Sequence, residues 1–120
     1  MADKPHLLVP VDGRMFVLRA QVTTVGCGAA VDVRLEDPTV SMLHAEIIRR
    51  GPYVYVADLG LSRNGTRVNG RPVTRRVLRD GDVVRFGAVC CLAAGIPRED
   101  VPAERALGRP VPEPRRPRAP

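Results

Sequence analysis

The stretch YVYVADLGLSRNGTRVNGRPV, residues 53–73, joins a run of valines and tyrosines to a polar, glycine-bearing loop, a second short run and the dipeptide Asn69-Gly70. Val and Tyr suit the pleated, half-buried surface of a strand. Asn-Gly supplies the positive φ angles of a two-residue hairpin turn. Working outward, the same grammar repeats. HLLVPV and MFVLRA flank Asp12-Gly13, Gly51-Pro52 precedes YVYVADL, and Arg79-Asp80-Gly81-Asp82 makes a fourth turn, followed by VVRFG and AVCCLAAG. No segment sustains the i, i+3, i+4 spacing of a three-turn helix. Many short strands between regular turn signals predict an all-β sandwich or barrel.

A chain of 120 residues has room for one domain. With only 3% aromatic residues and no Trp, its core must be built from Val, Leu and Ile. After residue 95 the composition changes: IPREDVPAERALGRPVPEPRRPRAP holds seven of the twelve prolines and little apolar periodicity, so it buries too little surface to offset ordering. The expected organisation is a folded domain over 6–95 and a disordered Pro/Arg-rich tail or linker over 96–120. No apolar run reaches the ~18 residues of a membrane span, and MADKPHLLVPVDG lacks a signal-peptide h-region. A soluble, cytoplasmic protein without membrane contact is expected.

Three cysteines, Cys27, Cys90 and Cys91, show no C-x-x-C spacing, so neither a disulfide framework nor a metal is indicated. On a strand, Cys90 and Cys91 would face opposite sides, which makes one a small core hydrophobe. The formal charge of +6 comes from arginines scattered through strands and tail. That pattern lacks the dense basic stripe of a nucleic-acid binder, and nucleic acid is not expected as a partner.

Three loops carry the polar chemistry: GCGAA at 26–30, EDPTVS at 36–41 and GLSRNGT at 60–66. Loops on a rigid β scaffold are where binding sites sit. A serine hydroxyl, an asparagine amide, an arginine and backbone N–H groups converging there would suit a phosphate-bearing peptide, with no cofactor. Ser41 and His44 do not read as nucleophile and base, because there is no G-x-S-x-G elbow and no acid to orient the imidazole. Gly26-Cys27-Gly28-Ala29-Ala30 imitates a dinucleotide loop, yet VDVRLEDP after it reads as a strand ending at proline where a helix would be needed.

The order of motifs is more specific than any one of them. Val25-Gly26, then Asp37-Pro38-Thr39-Val40-Ser41-Met42-Leu43-His44-Ala45-Glu46, then Asp58 through Gly70, then Leu78-Arg79-Asp80-Gly81-Asp82 and Arg85-Phe86-Gly87 together resemble the forkhead-associated (FHA) domain family. The resemblance implies a two-sheet antiparallel β-sandwich that binds phosphothreonine peptides and does no catalysis. It implies that Ser41 contacts the phosphate, that Asn64 holds the peptide backbone, that Arg63 touches the phosphate, and that Thr39 helps select a flanking side chain. Gly26, His44, Gly65 and Thr66 fall at loop-structuring positions, and Asn69 in a hairpin turn. Asp58 and Asp82 are expected to stabilise turns or loops. The partner implied is a phosphothreonine-containing protein, a Ser/Thr kinase or its substrate.

One position departs from the family pattern. Cys27 stands where the arginine that pairs with the phosphate usually follows the glycine. A charge-assisted hydrogen bond contributes on the order of 1.5 to 3 kcal/mol, so its loss weakens binding by about ten- to a hundredfold. Arg63, with help from Arg14 or Arg34, is expected to supply the missing charge. The alternative is an FHA-fold module that binds its partner independently of phosphorylation.

Overall fold

The computed structural model describes residues 4–96, so the expected tail lies outside the described residues from position 97 onward. The chain runs through strands β1 (His6–Val9), β2 (Arg14–Val17), β3 (Val22–Gly26), β4 (Val33–Arg34), β5 (Ala45–Arg50), β6 (Tyr53–Asp58), β7 (Thr66–Val68), β8 (Arg71–Pro72), β9 (Arg75–Val77), β10 (Val83–Phe86) and β11 (Val89–Ala94). They form a six-stranded sheet, in the order β2-β1-β11-β10-β7-β8, and a five-stranded sheet, in the order β4-β3-β5-β6-β9. Among the described residues no helix is long and apolar enough to cross a membrane.

Three turn signals close hairpins. Asp12-Gly13 joins β1 to β2, Gly51-Pro52 joins β5 to β6, and Asn69-Gly70 joins β7 to β8, each pair antiparallel. Asn69 (φ 50°) and Gly70 (φ 87°) both take the left-handed conformation that such a turn requires. The fourth turn, Arg79–Asp82, works differently. It carries the chain from β9, which pairs with β6, to β10, which pairs with β7 and β11 in the other sheet.

The sheets are not wholly antiparallel: β3 and β4 pair in parallel, Val25 beside Val33 and Gly26 beside Arg34. A parallel pair ordinarily needs a crossover of about a dozen residues. The short return over residues 27–32 works here because only two residue pairs form and because Asp32 closes the loop. Its carboxylate accepts the Thr24 N–H (2.9 Å) and hydroxyl (3.1 Å), and its own N–H donates to Thr24 Oγ1 (2.9 Å).

Alternation along the strands fills the space between the sheets. Leu7, Val9, Val84, Phe86, Cys91 and Ala93 point in from one sheet, and Val25, Ala45, Ile47, Val54 and Val56 from the other. Cys91 is a core residue and Cys90 is exposed. Burial pushes the Cys91 thiol up to about 12.

Strand register decides where the loops go. Val25 faces Ala45, Ala45 faces Asp58, and Thr66 faces Phe86, so the segments after β3, before β5, after β6, before β7 and after β10 emerge at one end of the sandwich. At the other end β1 and β11 run side by side, with His6 opposite Ala94. There the Lys4 carbonyl packs so closely on Gly95 that a Cβ would stand 2.3 Å from it.

Candidate functional site

Glycines let the loops approach at the 26-and-44 end. A Cβ on Gly26 would stand 2.1 Å from the Met42 carbonyl oxygen, and one on Gly87 would stand 2.3 Å from that of Thr39. No larger residue fits either place without moving backbone. The contact at Gly26 lets the Cys27 N–H donate to Ser41 O (2.9 Å) and the Gly28 N–H to Met42 O (3.1 Å). Loops 26–30 and 36–41 are thereby joined.

His44 joins loop 36–41 to loop 60–66. It is fully buried and its ring meets Phe86 edge-on at 5.8 Å. The Ser41 N–H donates to Nδ1 (3.1 Å), and Nε2 lies 2.8 Å from the Gly65 carbonyl. A backbone N–H only donates and a carbonyl only accepts, so the ring carries its proton on Nε2. Gly65, at φ +80°, also accepts the Gly87 N–H (3.1 Å).

Asp58 organises the third loop from its base. One carboxylate oxygen accepts the Gly60 N–H (2.8 Å), and the other accepts the hydroxyls of Ser62 (2.8 Å) and of buried Thr66 (2.7 Å). Ser62 Oγ in turn accepts the Gly65 N–H at 3.2 Å. In loop 36–41, Asp37 accepts both the N–H and the hydroxyl of Thr39. Those two bonds, the hydroxyl's first, hold the Asp37 carboxyl below the ordinary carboxylate range.

On this frame the residues singled out from sequence come together. Ser41 is 6% exposed, and its Oγ accepts the Arg63 N–H at 3.0 Å. Exposed Asn64 donates from Nδ2 to the Thr39 carbonyl (2.8 Å), and the Arg63 guanidinium donates to the Pro38 carbonyl (3.2 Å). The Thr39 hydroxyl donates to Asp37 and accepts the Ala88 N–H (2.8 Å). Cys27 is half-buried against the core, and its carbonyl accepts from Arg34 Nε at 3.2 Å. Asn69 lies elsewhere, and Arg14 is engaged within its own hairpin. Asn69 bonds Asp82 and Val83 at the opposite end, and Arg14 stays in the β1–β2 hairpin, paired with Asp12 (2.7 Å) and stacked over Phe16.

A family model described as the FHA domain matches residues 23–87, more than half of the chain. The chain belongs to the FHA family. An FHA domain solved in a structural and functional analysis of phosphothreonine-dependent FHA domain interactions is 36% identical, with a TM-score of 0.73, covering 77% of this chain and 96% of that one. The FHA domain of FhaA, crystallised with the intracellular domain of Rv3910, is 38% identical, with a TM-score of 0.70, covering 75% and 99%. An oxoglutarate dehydrogenase inhibitor from Corynebacterium jeikeium is 41% identical over 78 residues, 65% of this chain. This chain spans about half of that relative's length, 54%. FHA domains are non-catalytic binding modules that recognise partner proteins, and this chain shares their sandwich.

Sequence reading placed Asp37, Ser62 and Gly87 within the FHA-like motifs but gave none of them a role in this loop network. Asp37 was findable, because Asp-x-Thr is a local turn in which a side chain captures the backbone two residues on. Gly87 was not, since its contact with Thr39 joins positions 48 apart in the chain.

Proposed function

We propose that this FHA module binds a phosphothreonine-bearing segment of a partner protein in Ser/Thr kinase signalling, held across loops 26–30, 36–41 and 60–66. The observation that carries the reading is the Ser41 hydroxyl. Its oxygen already accepts the Arg63 N–H, which leaves its own proton to donate to a phosphate oxygen. Asn64 commits Nδ2 to Thr39, so its Oδ1 is free to accept a peptide N–H. Arg63 brings a guanidinium to the same loop. The Thr39 hydroxyl is engaged on both sides, so any selection of a flanking side chain by Thr39 works through its methyl group.

The test is a titration of a degenerate phosphothreonine peptide library beside its unphosphorylated counterpart, with Ser41→Ala and Asn64→Ala variants. The reading requires phosphate-dependent binding that both variants lose. Equal binding of the two libraries would instead support phosphorylation-independent recognition. Neutral Cys27 and the exposed side chains of Met42 and Leu61 on the same loops favour that second reading.

A further inference from the structure

We infer that Arg34 on β4 is the cation that meets the phosphate beside Cys27, in place of a charge at residue 27. This inference rests on the phosphothreonine reading above and names a further binding residue for the same site. The parallel register sets Arg34 beside Gly26. Its side chain turns back along the loop until Nε donates to the Cys27 carbonyl at 3.2 Å. The Cys27 N–H donates to Ser41 O at 2.9 Å, so a guanidinium and the phosphate-facing serine both bind Cys27. Neither of the other two candidate arginines is so placed. Arg14 lies in the β1–β2 hairpin beside Asp12 and Phe16, and the Arg63 guanidinium bonds the Pro38 carbonyl of loop 36–41, with no hydrogen bond to Cys27 for either.

Arg34 also has a partner that it can exchange. Its Nη1 lies 3.1 Å from Glu36 Oε2, and the two side chains are 49% and 69% exposed. So exposed a pair holds its members only weakly. A phosphate carrying about −1.5 to −2 charges and three acceptor oxygens competes well against one carboxylate. Glu36 therefore acts as a resident competitor: it engages Arg34 in the free module and opposes phosphate by its own charge. Neutral Cys27, packed against the core, presents no charge of its own to repel Arg34.

The test measures affinity for one phosphothreonine peptide, with its unphosphorylated form as reference, by calorimetry or fluorescence anisotropy. The proteins are the full chain and its Ser41→Ala, Arg34→Gln, Glu36→Gln and Cys27→Arg/Arg34→Gln variants, each checked for folding by circular dichroism. The expected results are about tenfold weaker binding for Arg34→Gln, from loss of one charge-assisted contact, and tighter binding for Glu36→Gln. The Cys27→Arg/Arg34→Gln protein should recover most of the lost affinity. If Ser41→Ala abolishes phosphate-dependent binding while Arg34→Gln stays within about twofold of the parent, the role of Arg34 is refuted and the phosphothreonine reading stands. If the parent does not distinguish the two peptides, both fall.

Discussion

Replacing His44 tests whether one buried ring holds loops 36–41 and 60–66 in place. In His44→Ala the Ser41 N–H loses the acceptor it has in Nδ1, and a buried, unsatisfied donor costs about 1–3 kcal/mol. The Gly65 carbonyl also loses a donor, but it keeps the Gly87 N–H, so that half should cost no more than about 0.5–1.5 kcal/mol. The emptied space beside Phe86 adds a cavity term, and large-to-small core changes cost about 2–5 kcal/mol in all. The expected total is about 3–5 kcal/mol, near the upper end for one substitution. Two further variants separate the halves. Asn places an acceptor near the position of Nδ1, and Gln places a donor near that of Nε2. His44→Asn should therefore be the more stable of the two, because it answers the group that has no second partner. Urea unfolding followed by circular dichroism reads the difference as a shift in midpoint at constant slope. Equal stability for Asn and Gln, or a more stable Gln variant, would refute the account, as would a loss below about 1 kcal/mol for His44→Ala.

Gly26→Ala, whose new Cβ meets the Met42 backbone at 2.1 Å, should destabilise by at least the 1–3 kcal/mol typical of overpacking and disrupt the Cys27–Ser41 contact. Gly28→Ala, at 3.1 Å from the same oxygen, should cost visibly less in the same unfolding experiment. Asp58→Ala removes the acceptor of Gly60, Ser62 and buried Thr66 together, and about 2–4 kcal/mol of stability should go with it; proteolysis within loop 60–66 is the companion readout. Alkylation at pH 8 should label Cys90 readily and leave Cys91 intact until denaturant is added. With its pKa raised to about 12 by burial, the Cys91 thiolate is present at only about one part in ten thousand at that pH.

The hairpins at Asp12-Gly13, Gly51-Pro52 and Asn69-Gly70 were legible because turn chemistry is local: the residues that need unusual φ angles are the ones that bend. The motif order also located Ser41, Arg63 and Asn64 on loops that the fold brings together. What stayed hidden was non-local. Arg79-Asp80-Gly81-Asp82 has the composition of a hairpin turn, and nothing within it reveals that the strands on either side enter different sheets. The parallel pairing of β3 with β4 depends on Asp32 reaching Thr24, a contact without periodic signature. Gly26 and Gly87 each look like a glycine that bends the chain, whereas their consequence lies in how closely another segment passes. Among the three arginines expected to compensate for Cys27, only the fold separates Arg34, on the Cys27 carbonyl, from Arg14, paired with Asp12 inside its own hairpin.

The neighbouring positions of Lys4 and Gly95 give the module a polarity. A polypeptide entering at β1 and leaving after β11 passes through one doorway, and the loops that gather Ser41 and Asn64 occupy the far pole. Attachment at the doorway and any ligand bound at those loops would thus use separate surfaces. A fusion made at that doorway joins the domain at the pole away from those loops.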